Sequence, residues 1–354
     1  MKQLSLAFQR LAERRKWTAA VIALFLLILP FLVGPYPTTM LVLILIYSMV
    51  AMGLGLLIGW AGQFSLGQGA FFGIGAYISG FLSVTLGVNP WLAMLCSGAL
   101  AGALAYVLGK PLLSVPGYKV GFVTIGFSWL FHEFISRLEM LGGSTGFSGI
   151  VHFSIAGVIL DKDYHYYYIA LVIVVLFFLL NQNFVKSKLG KQAKAMDTFT
   201  GGSALAAKSV GIDIGKLKTK IFMIAGIYAG IAGSLYAHYM THLDPTPFSV
   251  WASILMLLII IIGGVKSTWG GIVGAAIYFG LQEMLTFVLG SKAPMGLQYL
   301  MFGFIVTLIL LFFPTGIMGF ISRLHERLKE DVPPGLPMRK GFHDQAKQPT
   351  PPGS

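Results

Sequence analysis

The sequence predicts an all-α polytopic membrane protein of about ten transmembrane helices, with both termini cytoplasmic and an internal repeat. Three observations carry this. Of 354 residues, 56% are apolar and only 11% charged, whereas a soluble domain usually carries about 25% charged residues. Residues 17–109 contain no Asp, Glu, Lys or Arg, and neither do residues 293–322. The 25 Lys and Arg, against 13 acids, are distributed with a strong bias.

Apolar runs without two-residue alternation favour helices over barrel strands, because backbone polar groups in lipid must pair internally. At roughly 20 residues per span, the runs divide into segments near 17–34, 39–60, 66–86, 90–109, 119–137, 166–184, 220–240, 251–265, 270–290 and 298–319. The third and eighth carry the weakest signal. Glycines crowd residues 62–75, so the third span is continuous, broken or re-entrant. If the chain starts inside, only Arg137, Lys162 and Lys292 of all the Lys and Arg fall outside, as the positive-inside rule requires. The domains follow: a basic cytoplasmic segment 1–16, a transmembrane region 17–320, and a cytoplasmic tail 321–354 expected to be largely disordered. Within the transmembrane region lie an external loop at 138–165 and a large cytoplasmic loop at 185–219. The first apolar run follows a basic start. No small-residue cleavage site succeeds it, and Pro30, Pro35 and Pro37 do, so it reads as a retained span.

The net charge of +12 sits where anionic lipid headgroups are, so membrane lipid accounts for it and nucleic acid is not needed. A lone Cys96 rules out an intrachain disulfide. No G-x-x-x-x-G-K-[ST] phosphate loop is present, so the chain does not hydrolyse ATP by that device. His238 and His242 have i, i+4 spacing, but no acid lies between them, and an interfacial pair is the reading preferred over a metal site. Glu133 and Glu283 are acids at membrane depth. Each is a functional candidate because burying charge there costs about 2.5–3.5 kcal/mol. The reading preferred for both is a hydrogen-bonded group facing the bundle interior or another subunit.

Two regions can do work. The run G-Q-F-S-L-G-Q-G-A-F-F-G-I-G-A-Y (62–77) sets Gln63, Ser65 and Gln68 among glycines at the edge of the bilayer. These groups can bind a polar or zwitterionic solute without ionic cost, and tight packing plus a turn explains them equally well. Thr124 on the fifth span and Gly143, Ser144 and Thr145 of the external loop are assigned to the same path. At an offset of 201, Gly62, Gly69, Gly73 and Tyr77 match Gly263, Gly270, Gly274 and Tyr278. Transporters often contain such repeats with interrupted helices, while for Gly69 and Gly73 close packing is the simpler use. In the cytoplasmic loop, Ser203–Val210 has helix-forming composition and Gly211 is a C-terminal stop. So short a helix is unstable alone in water. Either it leans on this chain or a partner, or the segment is a solvated linker.

These residues also carry a resemblance. W-A-G-Q-F-S-L-G-Q-G-A-F-F-G-I-G-A-Y (60–77) resembles the signature of permease subunits of bacterial ABC importers for branched-chain amino acids. L-G-G-S-T-G-F-S-G-I (141–150), L-G-K-Q-A-K-A-M (189–196), L-A-A-K-S-V-G-I (205–212), A-G-S-L-Y-A-H-Y (232–239) and I-G-G-V-K-S-T-W-G-G-I-V-G-A (262–275) are similar to further blocks in order. Size and external loop resemble the LivM-type subunit more than its LivH-type partner. The resemblance implies a non-catalytic subunit of the bacterial inner membrane. It would pair with a second permease, two cytoplasmic ATPases carrying ATP and magnesium, and an external substrate-binding protein, and would hold no cofactor or metal itself. It also implies a coupling helix at 201–211 seated in an ATPase groove, with Ser203, Ala206, Ala207, Lys208 and Gly211 as contacts. Thr200–Ser203 depart from the acidic residue often found just before that helix. A urea or short-amide importer of the same family and an ion-coupled secondary carrier are the alternatives.

Overall fold

The computed structural model describes residues 24–113, 119–155, 157–196, 203–290 and 294–330. Its helices are α1 (Leu24–Val33), α2 (Pro35–Gly59), α3 (Gln68–Thr85), α4 (Pro90–Leu113), α5 (Lys119–Arg137), α6 (Asp163–Lys186), α7 (Lys188–Met196), α8 (Ala204–Ser209), α9 (Ile214–Met240), α10 (Val250–Gly263), α11 (Gly270–Leu289), α12 (Met295–Phe312) and α13 (Ile317–Glu330). Helices α2, α4, α6, α9, α11 and the stretch Gly296–Leu324 are long and apolar enough to cross a membrane. This is a multi-pass membrane protein. Helices α3, α5 and α10 occupy the predicted third, fifth and eighth segments. Helix α10 has 14 residues, about 21 Å at the α-helical rise.

Helix α9 is the hub, packed against α4, α3 and α2. Small residues let it approach. A Cβ on Gly75 would overlap the Gly230 backbone, and one on Gly233 would overlap the Phe72 carbonyl. Lipid supplies no hydrophobic drive between helices, so such close backbone contact is how they gain packing energy. Large apolar side chains such as Phe122, Trp129, Val172 and Leu311 stay exposed on the outside, as a lipid-facing surface requires.

One end of the bundle is closed by the segment between α5 and α6 together with the α9–α10 connection. Strand β1 (Phe147–Ser148) pairs antiparallel with β4 (His242–Leu243), and β2 (Ser154–Ile155) with β3 (Val158–Ile159). The Ser148 hydroxyl meets His242 Nδ1 at 2.7 Å.

A buried relay ties this cap to the core. The Val151 carbonyl can only accept, so His238 Nδ1–H donates to it at 2.6 Å. His238 Nε2 then accepts from Ser79 Oγ at 2.9 Å, and Ser79 accepts from Ser234 at 2.6 Å. His238 is fully buried against the Phe153 ring. The expectation of an interfacial His238–His242 pair is therefore corrected: one ring belongs to the core and the other to the β1–β4 pair.

The two acids lie at the surface of this chain. Glu133 lies on an exposed face of α5, in an i, i+4 ion pair with Arg137 at 2.6 Å. Glu283 accepts from the Tyr36 hydroxyl at 2.8 Å at the surface. Both are hydrogen-bonded, but neither faces the interior. Helix α13 enters the stretch assigned to the tail and ends at Glu330.

Candidate functional site

The third segment is a continuous helix, α3, and the irregular stretch lies just before it. After Gly59 the chain leaves the helix, runs without regular structure to Gly67, and starts α3 at Gln68. Gly62 has φ +60°, and the Gln63 amide donates to the Leu57 carbonyl at 3.1 Å. Ser65 is fully buried and Gln63 almost so. Buried backbone groups outside a helix need other partners, and hydroxyls supply them here. The Leu66 amide donates to Thr124 Oγ1 at 2.9 Å, and the Leu66 carbonyl accepts from Ser128 Oγ at 2.8 Å. The Gly67 amide donates to Ser65 Oγ at 3.3 Å. The Gly69 amide donates to Ser253 Oγ at 2.9 Å, which in turn lies 3.4 Å from Ser128 Oγ. Gly69 is required there, since a Cβ would sit 2.6 Å from that hydroxyl.

Four of the predicted path residues thus gather at one break. Gln63, Ser65 and Gln68 line the chain itself, and Thr124 holds it. Ser128 and Ser253 complete the clamp and were missed. Thr124 and Ser128 stand at i, i+4 on one face of α5, the spacing that could have revealed Ser128. Ser253 carries no local signal, because only the fold brings α10 to the start of α3.

Some buried polar atoms find no partner among the described residues: Gln63 Oε1, both amide atoms of Gln68, and the Tyr77 hydroxyl. Leaving such a group unpaired costs about 1–3 kcal/mol, so these buried atoms hold unused hydrogen-bonding capacity. The 201-residue echo matches in part, since Gly62 lies in the irregular stretch while Gly263 ends α10. Gly69 and Gly270 lie at the starts of α3 and α11, and Gly73 and Gly274 follow one turn on. At Gly73 a Cβ would press on Phe248, and at Gly274 it would overlap the Ile259 carbonyl, so all four serve packing.

Gly143, Ser144 and Thr145 lie elsewhere, in a 3₁₀ turn of the cap next to α5. The Thr145 hydroxyl returns to the Gly142 carbonyl at 2.7 Å, Ser144 is exposed, and Gly143 is buried. They form a surface turn rather than part of the break.

The predicted loop helix is present as α8. The Ser203 amide donates to the Ala195 carbonyl at 3.1 Å, tying α8 to α7. Ala207 is buried at 2% exposure while Lys208, Ser209, Val210 and Gly211 are exposed. Ala206 lies on the helix. Gly211 has φ +82°, its amide donates to the Lys208 carbonyl at 3.0 Å, and the Ile212 amide reaches the Ala207 carbonyl at 3.1 Å. That pair of bonds is the Schellman stop, which needs a left-handed residue. Asp213 then caps α9, accepting from the Lys216 amide at 3.0 Å and pairing with its ammonium at 3.1 Å. The Lys216 N–H and charge hold the Asp213 carboxyl below the usual carboxylate range. Residues 197–202, including Thr200–Gly202, lie outside the described residues.

A connection between helices held by hydroxyls inside an apolar, multi-pass bundle resembles the interrupted helices of membrane transporters. The chain belongs to the family described as the permease component of branched-chain amino acid transport systems, whose model matches residues 36–313. It is 25% identical over 331 residues to the high-affinity branched-chain amino acid permease LivM of Escherichia coli, covering 86% of this chain and 75% of that one. It is 25% identical over 319 residues to a probable branched-chain amino acid permease, LivH, of Methanocaldococcus jannaschii, covering 80% and 93%. It is 23% identical over 298 residues to the guanosine ABC transporter permease NupQ of Bacillus subtilis, covering 77% and 88%. No solved structure matches the chain.

Proposed function

We propose that this chain is a non-catalytic permease subunit of an ATP-driven importer for branched-chain, hydrophobic amino acids in the bacterial inner membrane. The names of the LivM and LivH relatives support that substrate class. It spans the membrane ten times with both termini inside, pairs with a LivH-like permease, and receives solute from an external binding protein. Two ATPases below it carry ATP and magnesium, and the chain itself holds no cofactor.

The observation that carries the reading is α8. It is pinned to α7 through Ser203, buried through Ala207 and stopped at Gly211, and it presents Lys208–Val210 outward. A helix so short needs this anchoring, and the anchoring makes it a lever: a push on α8 reaches α7 and α9 directly. Gln63, Ser65, Gln68 and Thr124 border the solute path, where unpaired amides can take up a zwitterion's polar groups in passing. Gly143–Thr145 contribute at the external mouth. Glu133 and Glu283 are not needed for energy coupling.

The test is reconstitution of the complex in vesicles with labelled leucine and the binding protein outside and ATP within. ATP-dependent accumulation, insensitive to a proton ionophore, is expected. Accumulation by this chain alone under a proton gradient overturns the reading in favour of a secondary carrier. ATP-driven uptake of urea or a nucleoside with none of leucine overturns the substrate class alone.

A further inference from the structure

Where α2 and α10 end, the chain builds a second feature unrelated to the helix break. The turn between α12 and α13 packs backbone to backbone on the loop after α10. Gly264 has φ +112°, and a Cβ there would lie 3.2 Å from the Thr315 carbonyl. Between these elements is a cavity of about 560 Å³ whose polar lining is Lys266, Ser267, Thr315, Ser322 and Arg323 and whose apolar lining includes Ile261 and Met318. No acidic residue lines it among the described residues. Two cations and three hydroxyls in one lining suit an oxyanion, and charge-assisted hydrogen bonds from Arg are the strongest donors for phosphate.

The surroundings say where the anion comes from. Helix α13 carries Phe320, Ile321 and Leu324 at 46–49% exposure, on a strongly amphipathic sequence, I-M-G-F-I-S-R-L-H-E-R-L-K-E. A helix of this kind lies in the bilayer interface with its apolar side chains among the acyl groups. Trp269, 48% exposed, stands three residues beyond Lys266, and Trp favours that same depth. A free phosphate would need only the cationic lining; the apolar surface beside it has use only for a molecule with chains.

We propose that this cavity binds the phosphodiester headgroup of an anionic phospholipid, with the acyl chains running along the exposed apolar side of α13. Basic pockets between helices on the cytoplasmic side are where such headgroups bind. The inference rests on the membrane-embedded reading but not on the transported solute, so a failure of leucine uptake leaves it standing.

The test uses the full chain, copurified with its partners from native membranes and washed in detergent. Retained phosphatidylglycerol and cardiolipin are measured against phosphatidylethanolamine by mass spectrometry. K266Q/R323Q is expected to lower the anionic share about tenfold, with K266R/R323K close to wild type. Equal retention by wild type and K266Q/R323Q, both eluting as intact complexes, overturns the proposal. Should the double variant fail to assemble, R323Q alone is compared in nanodiscs holding spin-labelled phosphatidylglycerol or phosphatidylcholine. Preference for the anionic probe in wild type, lost in R323Q, supports the site, and no preference overturns it. Inorganic phosphate binding to delipidated protein through the same residues, uncontested by phosphatidylglycerol, also overturns the lipid assignment.

Discussion

Ser128 Oγ donates to the Leu66 carbonyl at 2.8 Å, so a hydroxyl on α5 satisfies an acceptor on the one buried stretch of α2–α3 chain that has no helix to supply it. One turn earlier, Thr124 Oγ1 accepts the Leu66 amide. Both backbone groups of one residue are therefore held by one face of a neighbouring helix, and the break is a fixed feature rather than a frayed helix end. Thr124→Val keeps the shape and removes the acceptor, stranding a buried N–H. A loss of about 1–3 kcal/mol is expected, read as a lower unfolding temperature in detergent, with Thr124→Ser close to wild type. Equal melting of Thr124→Val and wild type would show that the break is not held this way.

Ala207 and Gly211 give the coupling prediction. Ala207 is buried and Gly211 is left-handed, so a bulky or branched residue is excluded at the first by space and at the second by backbone. A left-handed conformation costs an L-residue about 1–2 kcal/mol. Ala207→Glu and Gly211→Val should insert and assemble but lose most solute-stimulated ATPase activity and uptake. Lys208→Ala, on the exposed side, should weaken ATPase copurification more than insertion. Normal stimulation in both Ala207→Glu and Gly211→Val would remove α8 from the coupling path.

Asp213 adds a pH dependence. Its carboxyl titrates below the ordinary value because the Lys216 N–H and ammonium favour the charged form. A depressed folded value means that the cap's contribution is present above the unfolded Asp range near 3.9 and is lost as pH falls through the lowered folded value. At neutral pH, Asp213→Ala should speed amide exchange over the first turn of α9, and the gap from wild type should close on acidification through that window. The same gap at every pH would assign the difference to something other than the carboxylate.

The His238 relay makes a third structural claim. His238→Phe fills the space but leaves the Val151 carbonyl and the Ser79 hydroxyl without their partner, with about 1–3 kcal/mol of destabilisation expected for a stranded buried group. Protease cleavage within residues 147–155 should rise in the variant if the relay is what fastens the cap. Unchanged cleavage with unchanged melting would mean that the β1–β4 pairing suffices alone.

What the sequence made legible was set by physics that acts locally. Long uncharged runs located the helices because lipid admits little else, and Gly211 marked the end of α8 because a left-handed stop favours glycine. The grouping of Gln63, Ser65 and Gln68 was visible because those residues are neighbours in the chain. Ser253 and His238 were not legible in their roles. Each acts through a contact more than 150 residues away, and an isolated Ser or His in an apolar run looks the same whether it faces lipid, solvent or core. For the acids, depth along a helix is readable from hydropathy but the face is not, and Glu133 lies on the outer face of α5, paired with Arg137.

The span map itself is open to a direct check, because two ends of the bundle have different chemistry. The β1–β4 and β2–β3 pairs lie at one end, while α7, α8 and α9 pack together at the other. Lys188, Lys191, Lys194, Lys208, Lys216 and Lys218 cluster in that second group, and the positive-inside rule predicts a cytoplasmic position for it. A reporter active only in the cytoplasm should therefore work when inserted after Lys194, and one active only outside when inserted beside Asp161. A cysteine placed at Ser144 in a Cys96→Ala background should react with an impermeant thiol reagent in intact cells, and one at Val210 only after permeabilisation. Labelling at Val210 with none at Ser144 in intact cells would invert the molecule, putting α8 beyond the reach of any cytoplasmic ATPase.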